Sequence, residues 1–306
     1  MDADHHIFDR RLLTRRRDRV AAGAHRYEFL LARVADDLLE RLAAIQRAFP
    51  VALDLGAHHG LIGRRLRGLP GIQMVIEAEA SWSLLQHSSG ARVQVDEELL
   101  PFADASLDLV ISGLALQHVN DLPGTLVQIR RALRPDGLLL ASLLGAGSLF
   151  ELRRALLRAE EEVEGGASPR VAPFADVRDL GGLLQRAQFA LPVADADTVV
   201  VTYPDALALM RDLRGMGATN VLRARSRRPL RRATLRRAME IYGEEFGTSD
   251  GRIPATFEIV TLTGWAPHAS QQQPLKPGSA KVRLADALGS VEQSAGVKAG
   301  PDRGQR

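Results

Sequence analysis

Cysteine is absent from this chain of 306 residues, which excludes disulfides and thiolate-bound metal centres. Aromatic residues make up only 5% and do not alternate with the basic ones, which argues against a base-stacking nucleic-acid surface. No apolar run reaches the ~20 residues that a membrane-spanning helix needs. The longest, GLLLASLLGAGSLF from Gly137, is shorter and interrupted by glycine. The opening residues, MDADHHIFDR, lack the basic start and apolar centre of a secretory signal. These absences give the expectation of a cytoplasmic protein without a membrane span. Peripheral contact with an anionic membrane surface stays open.

At 45% hydrophobic and 25% charged, the chain has ample material for a globular core. The formal charge is +3, and the basic residues are nearly all arginine. Six arginines fall between Arg10 and Arg19, and eight between Arg223 and Arg237. Arginine grips carboxylates in two-point geometry, so the Arg223–Arg237 cluster is expected to dock an acidic protein surface. A solvated helix face is the plainer alternative.

Strand and helix signals alternate along the chain. Tyr27, Leu30, Leu31, Val34, Leu38, Leu42 and Ile45 recur at helical spacing, and Pro50 closes that helix. Strand-like VALDLG, QMVIEAE, ARVQVD, LDLVISGLA and GLLLASLL are then separated by short helical stretches. Near-continuous apolar strands between helices predict a parallel sheet covered on both faces. Further on come two helices, the strand TVVVTY, helical material from Pro204 to Phe246, and a last strand, ATFEIVTLTGWA, expected antiparallel at the sheet edge. The predicted organisation is an arginine-rich arm and helix (residues 1–49), a cofactor-binding core (50–147), the rest of the sheet with a helical insertion (148–268) and a mobile tail (269–306).

The turn after the first strand reads D-L-G-A-H-H-G. Gly56, Gly60 and Gly63 do not give the G-x-G-x-x-G spacing of a dinucleotide site. Asp54 beside the turn suits a cationic group, such as the amino end of S-adenosylmethionine, and Gly56 and Gly60 let the backbone approach it. A turn carboxylate that caps the next helix is the other reading of Asp54. Glu79, 23 residues beyond Gly56 at the end of the next strand, stands where an acid reaches ribose hydroxyls. Asp96 and Glu97 follow the third strand and could accept from an adenine amino group, with Leu99, Leu100 and Phe102 as apolar surface for the ring. His58 occupies the place of a glycine. Its ring is expected to lie outward, because histidine tolerates positive φ better than branched residues do.

Beyond the turn, LPFADASLDLVISGLALQHVND followed by LRPDG resembles the class I S-adenosylmethionine-dependent methyltransferases. A narrower resemblance is carried by IFDRRLLTRRRDRVA, ELRRAL, GGASPRVAPFADVRDLGGLLQRAQF, YPDALALMRDLRGMGATN and DGRIPATFEIVTLTGW. These are similar to the mitochondrial complex I assembly factor five family and its bacterial relatives, over about residues 7 to 284. The resemblance implies a Rossmann-like seven-stranded α/β sheet with helices on both faces, an N-terminal helical extension and a helical lid before the last strand. It also implies S-adenosylmethionine as cofactor. In the mitochondrial branch it implies arginine hydroxylation on a complex I subunit during assembly, here expected to be a peripheral-arm subunit. The family turn reads D-L-G-x-G-x-G, so His58 departs from it. Gln117 and His118 stand where the family often has His-Trp.

Methyl transfer needs alignment more than acid or base, so the lack of a catalytic triad excludes nothing. His118, just past the fourth strand, is the candidate base; a loop histidine in contact with core alone is the alternative. The adjacent pairs His5–His6 and His58–His59 cannot face one way, and no facial-triad pattern is present, so no metal site is expected. Hydroxylation versus methylation stays open. So do methylation of a carrier-bound or small-molecule carboxylate and a non-catalytic assembly chaperone.

Overall fold

The computed structural model describes residues 6–272, 279 and 282–291. The chain divides into a unit Met1–His268 and a segment Ala269–Arg306. The expectation of a mobile tail falls largely on residues outside the described set; within it, Leu284–Leu288 forms a short helix.

The first unit is built on seven strands: β1 (Val51–Leu55), β2 (Met74–Glu79), β3 (Ala91–Gln94), β4 (Leu107–Gly113), β5 (Leu133–Leu144), β6 (Ala190–Tyr203) and β7 (Ile253–Trp265). They form one sheet in the order β3-β2-β1-β4-β5-β7-β6. The first five run parallel, while β7 is antiparallel to both β5 and β6. The last strand is therefore interior, and the expected edge position is wrong. Its apolar residues face neighbours on both sides, and the edge goes to β6, whose middle carries Asp195 and Asp197. Charged residues blunt an exposed edge against stray pairing.

Strand periodicity fills two cores. Leu109, Ile111, Leu138 and Leu140 face one layer with α2 (Phe29–Ala43), α3 (Leu61–Leu66), α6 (Phe150–Glu164), α8 (Ala206–Gly215) and α9 (Arg232–Phe246). Val110, Leu139 and Ala141 face the other, with α5 (Leu122–Ala132) and α7 (Val177–Arg186). Alternate residues of one strand point to opposite faces, so a strand buried on both reads as an unbroken apolar run. Helices α8 and α9 form the insertion between β6 and β7, as expected. No described helix is long and apolar enough to cross a membrane.

The arm is more ordered than its composition predicts. Arg10–Val20 forms a helix, α1, capped by the Asp9 carboxylate, which accepts from the Leu12 N–H at 3.0 Å. Sequence periodicity misses it because α1 buries only Leu13 and Arg17. Phe8, Leu13, Val221 and Leu222 make a small core that ties the arm to the loop after α8.

Candidate functional site

The strand order reverses beside β1, between β2 and β4, and ligands of open α/β sheets bind in the crevice at that point, beyond the carboxyl ends of the strands. Four carboxylates gather there, those of Asp54, Glu77, Glu79 and Glu97, all fully buried. Three strands put them in place, since Asp54 is the last but one residue of β1, Glu77 and Glu79 lie at the end of β2, and Glu97 follows β3.

Asp54 lies beneath the turn. Its carboxyl accepts the Gly63 N–H at 2.9 Å and so holds the start of helix α3. Burial, and next the Glu77 carboxylate, push its pKa up to about 8. A carboxyl in that state is largely neutral at physiological pH and lends little charge to a cationic ligand. The Gly63 contact fits the helix-holding reading of Asp54, while its other oxygen is buried without a hydrogen-bond partner among the described residues. Gly60 serves the same underside: a Cβ there would sit 2.5 Å from a Glu77 oxygen. Gly56 faces the crevice. With φ at +72°, it packs so closely that a Cβ would lie 2.1 Å from the Ala115 Cβ and 3.6 Å from a Glu97 oxygen.

Glu79 and Glu97 converge, and the chain's own arginines meet them. The Arg17 guanidinium donates to both Glu79 oxygens at 3.0 and 3.3 Å and lies 3.7 Å from Glu97. Arg10 pairs with Glu97, and with Asp96 at 2.8 Å. Asp18 completes the clasp, accepting from the Ser81 hydroxyl at 2.6 Å and the Ser83 N–H at 3.3 Å. Asp96 is exposed, unlike Glu97. Leu100 and Phe102 pack on the core and Leu99 points to solvent, so they offer no platform inside the crevice.

His58 adopts positive φ, at 52°. Its ring turns inward, against the expectation, and Nε2–H donates to the Gly113 carbonyl at 3.0 Å, while its backbone N–H donates to Glu79 at 3.1 Å. The inward turn gives a ring nitrogen a fixed partner and closes the left-handed turn around Glu79. Burial first, and Arg17 next, push the imidazole pKa down to about 3, so it stays neutral.

His118 is buried, edge-on to Phe8 at 5.5 Å between ring centres, and its Nδ1 has no hydrogen-bond partner. Burial and the charges of Arg17 and Arg10 push its pKa down to about 3. As placed, with Arg17 inserted, it is a weak proton acceptor.

Beside the clasp an open pocket is lined by Arg17, Tyr27, Glu28, His58, His59, Gln117 and His118, among others. Glu28 is its only carboxylate among the described residues and holds His59 Nε2 at 2.5 Å. Burial lowers the His59 pKa and Glu28 opposes that shift. Helix α8 supplies the opposite wall: a Cβ on Gly215 would collide with the Tyr27 ring at 2.4 Å, and Gly217 lies against Arg17. Sequence reasoning missed Arg10, Arg17, Glu77 and the Glu28–His59 pair. Arg10 and Arg17 are two helical turns apart, and that spacing was the available signal.

The residues present fit S-adenosylmethionine on three observations. Glu79 and Glu97 both face the Arg17 guanidinium, Glu97 keeps a buried oxygen without a hydrogen-bond partner among the described residues, and Gly56 has no room for a side chain beside it.

Comparison with known proteins agrees. Residues 53–141 match a family described as "Methyltransferase domain". The chain is 39% identical to "Arginine-hydroxylase NDUFAF5, mitochondrial" of Danio rerio, over 92% of this chain and 89% of the relative. The Homo sapiens protein of that name is also 39% identical, over 93% and 84%. A "Malonyl-[acyl-carrier protein] O-methyltransferase" of Methylovorus sp. is 35% identical, over 95% and 97%. Among solved structures, the YcgJ protein of Bacillus subtilis superposes with a TM-score of 0.53 at 16% identity, over 76% of this chain and 98% of that one. That likeness carries the fold alone. The cytoplasmic location expected from the sequence is overturned, because the 39% identical relatives are mitochondrial proteins. The expectation rested on absent cysteine and an absent secretory pattern, and neither separates one reducing compartment from another.

Proposed function

Because this chain belongs to the arginine-hydroxylase NDUFAF5 family, which shares the class I S-adenosylmethionine-dependent methyltransferase fold, we propose that it is an enzyme modifying an arginine on a complex I subunit during assembly. The observation that carries this reading is the convergence of Glu79 and Glu97 on one buried position, within reach of a single guanidinium. Bound here, S-adenosylmethionine would be held by Glu79 at its ribose hydroxyls and by Glu97 on the nucleoside, with Gly56 leaving room for the close backbone approach. The bound cofactor supplies a sulfonium-activated carbon.

The chain's own residues set the conditions. Arg17 must surrender Glu79, and Arg10 must surrender Glu97, before those carboxylates can accept from a ligand. Asp54 and Gly60 hold the turn from beneath. Gly215 packs on Tyr27 and Gly217 on Arg17, so the end of α8 is held against the arm at the wall of the pocket. Glu28 is the carboxylate that an incoming substrate guanidinium meets, and His59, oriented by Glu28, is better placed to accept a proton than His118. A half-buried Glu28 also repels an anionic substrate, so methylation of a carrier-bound carboxylate falls behind.

Mass spectrometry tests the proposal. In the source organism with the gene deleted, one complex I subunit should lose one oxygen or one methyl from an arginine peptide. Assembled complex I with every arginine mass unchanged would overturn it.

A further inference from the structure

The arginine clusters of the sequence do not survive as units in three dimensions. On α9, Arg237 pairs with Glu162 at 2.6 Å, Glu240 at 3.3 Å and Glu244 at 3.4 Å, and Arg236 pairs with Glu240 at 3.5 Å. This part of the cluster is neutralised by its own neighbours. The part before it, in the loop that follows α8, folds against the arm instead. Arg225 and Arg227 line one hollow together with Arg16, Arg170 and Asn220. Arg19 and Arg214 line a second with Arg16, Val20 and Asn220. Because Arg16 and Asn220 belong to both, one extended ligand can span the two.

Charge in these hollows is unbalanced. Asp9 lies 3.4 Å from Arg225, and Glu160 is paired with Arg170. Among the described residues, no carboxylate pairs with Arg16, Arg19, Arg214 or Arg227. Burial and then the like charges of Arg225 and Arg19 lower the pKa of Arg16, and Asp9 only partly opposes them. Among the described residues, the lining has no aromatic side chain on which a base could stack. Its apolar members are Leu12 and Val20, and its surface is concave, which suits a flat bilayer poorly.

From this we infer that the two hollows form a docking groove for an acidic segment of the protein substrate, held by paired guanidinium–carboxylate contacts. The inference rests on the protein-substrate reading above and deepens it. Val20 lines both the second hollow and the open pocket that holds Glu28 and His59. A chain lying in the groove therefore passes the mouth of that pocket and can present one side chain to it. The charge pattern is complementary in kind: carboxylates outside on the groove, and a carboxylate inside, Glu28, for the cationic residue presented.

Fluorescence anisotropy with a labelled decaglutamate peptide tests the groove on the full-length protein. The double variant Arg19→Gln/Arg227→Gln should weaken binding about ten-fold or more, and raising salt should erase most of the remainder. The control Arg236→Gln/Arg237→Gln, on the paired face of α9, should bind like the wild type. Restoring charge with Arg19→Lys/Arg227→Lys should recover part of the loss, which separates a charge effect from misfolding. Equal losses in both glutamine variants would overturn the inference, as would no loss in the first. Full displacement of the peptide by millimolar inorganic phosphate would instead indicate a single-anion site. Capture by phosphatidylglycerol vesicles without peptide binding would indicate a membrane surface. Calorimetric titration of S-adenosylhomocysteine runs alongside. Normal titration with failed peptide binding sinks the groove alone, whereas a wild type that takes up no S-adenosylhomocysteine sinks the proposed function.

Discussion

Arg17→Met puts the arm to the test. In the wild type the guanidinium is buried, holds both oxygens of Glu79 and stands 3.7 Å from Glu97. A ligand whose hydroxyls bond Glu79 must first take that carboxylate from Arg17. Charged hydrogen bonds contribute about 1.5–3 kcal/mol each; with both of them held by Glu79, about 3 kcal/mol separates the clasped from the free form. Apparent affinity falls with the population of the competent form, and about 1.4 kcal/mol corresponds to a factor of ten. Removing the guanidinium should therefore tighten S-adenosylhomocysteine binding about a hundred-fold by isothermal titration calorimetry. The same change leaves buried Glu79 without its cation, while Glu97 keeps Arg10, so the ligand-free protein should lose about 3 kcal/mol or more in urea unfolding. Opposite signs in the two measurements are the signature, with Arg17→Lys falling between. Binding that is weaker than wild type, or unchanged, would refute the reasoning, since Arg17 would then be a ligand contact or a bystander.

Asp54, with its pKa raised to about 8 by burial, binds a proton in the folded protein that the unfolded chain releases. Its contribution is present below the unfolded value of 3.8 and is lost as pH rises through 8, at up to about 1.4 kcal/mol per pH unit between them. Asp54→Asn should accordingly gain stability relative to wild type in urea unfolding between pH 6 and pH 8; a difference independent of pH would contradict the assignment. Gly56→Ala forces a side chain onto positive φ and into Ala115, with an expected cost of about 2–4 kcal/mol and abolished S-adenosylhomocysteine binding. His58→Gly relieves the left-handed strain of about 1 kcal/mol while giving up the bond to Gly113. Its urea midpoint should shift little, and a large loss would mean that the inward ring matters more than its geometry implies.

Much of this protein is legible in one dimension. The alternation of VALDLG, QMVIEAE, LDLVISGLA and GLLLASLL with short helices determines a parallel sheet, because strands buried on both faces must be apolar throughout. The order of Asp54, Glu79 and Glu97 determines that acids crowd one end of that sheet, because each follows or ends a strand of the same direction. Tertiary structure decided the rest. The place of β7 between β5 and β6 follows from long-range pairing that no local period encodes. Whether a carboxylate faces ligand or core also depends on packing: Asp54 and Glu79 are both acids at strand ends, yet one is sealed under α3 and the other meets Arg17. The arginine clusters look alike as text, but α9 carries its own carboxylates one turn away while the loop at Arg225 folds onto α1, so one cluster is neutralised and the other is left charged. Local sequence sets which groups exist and how they repeat along the chain; the partner of each charge is fixed only when distant segments meet.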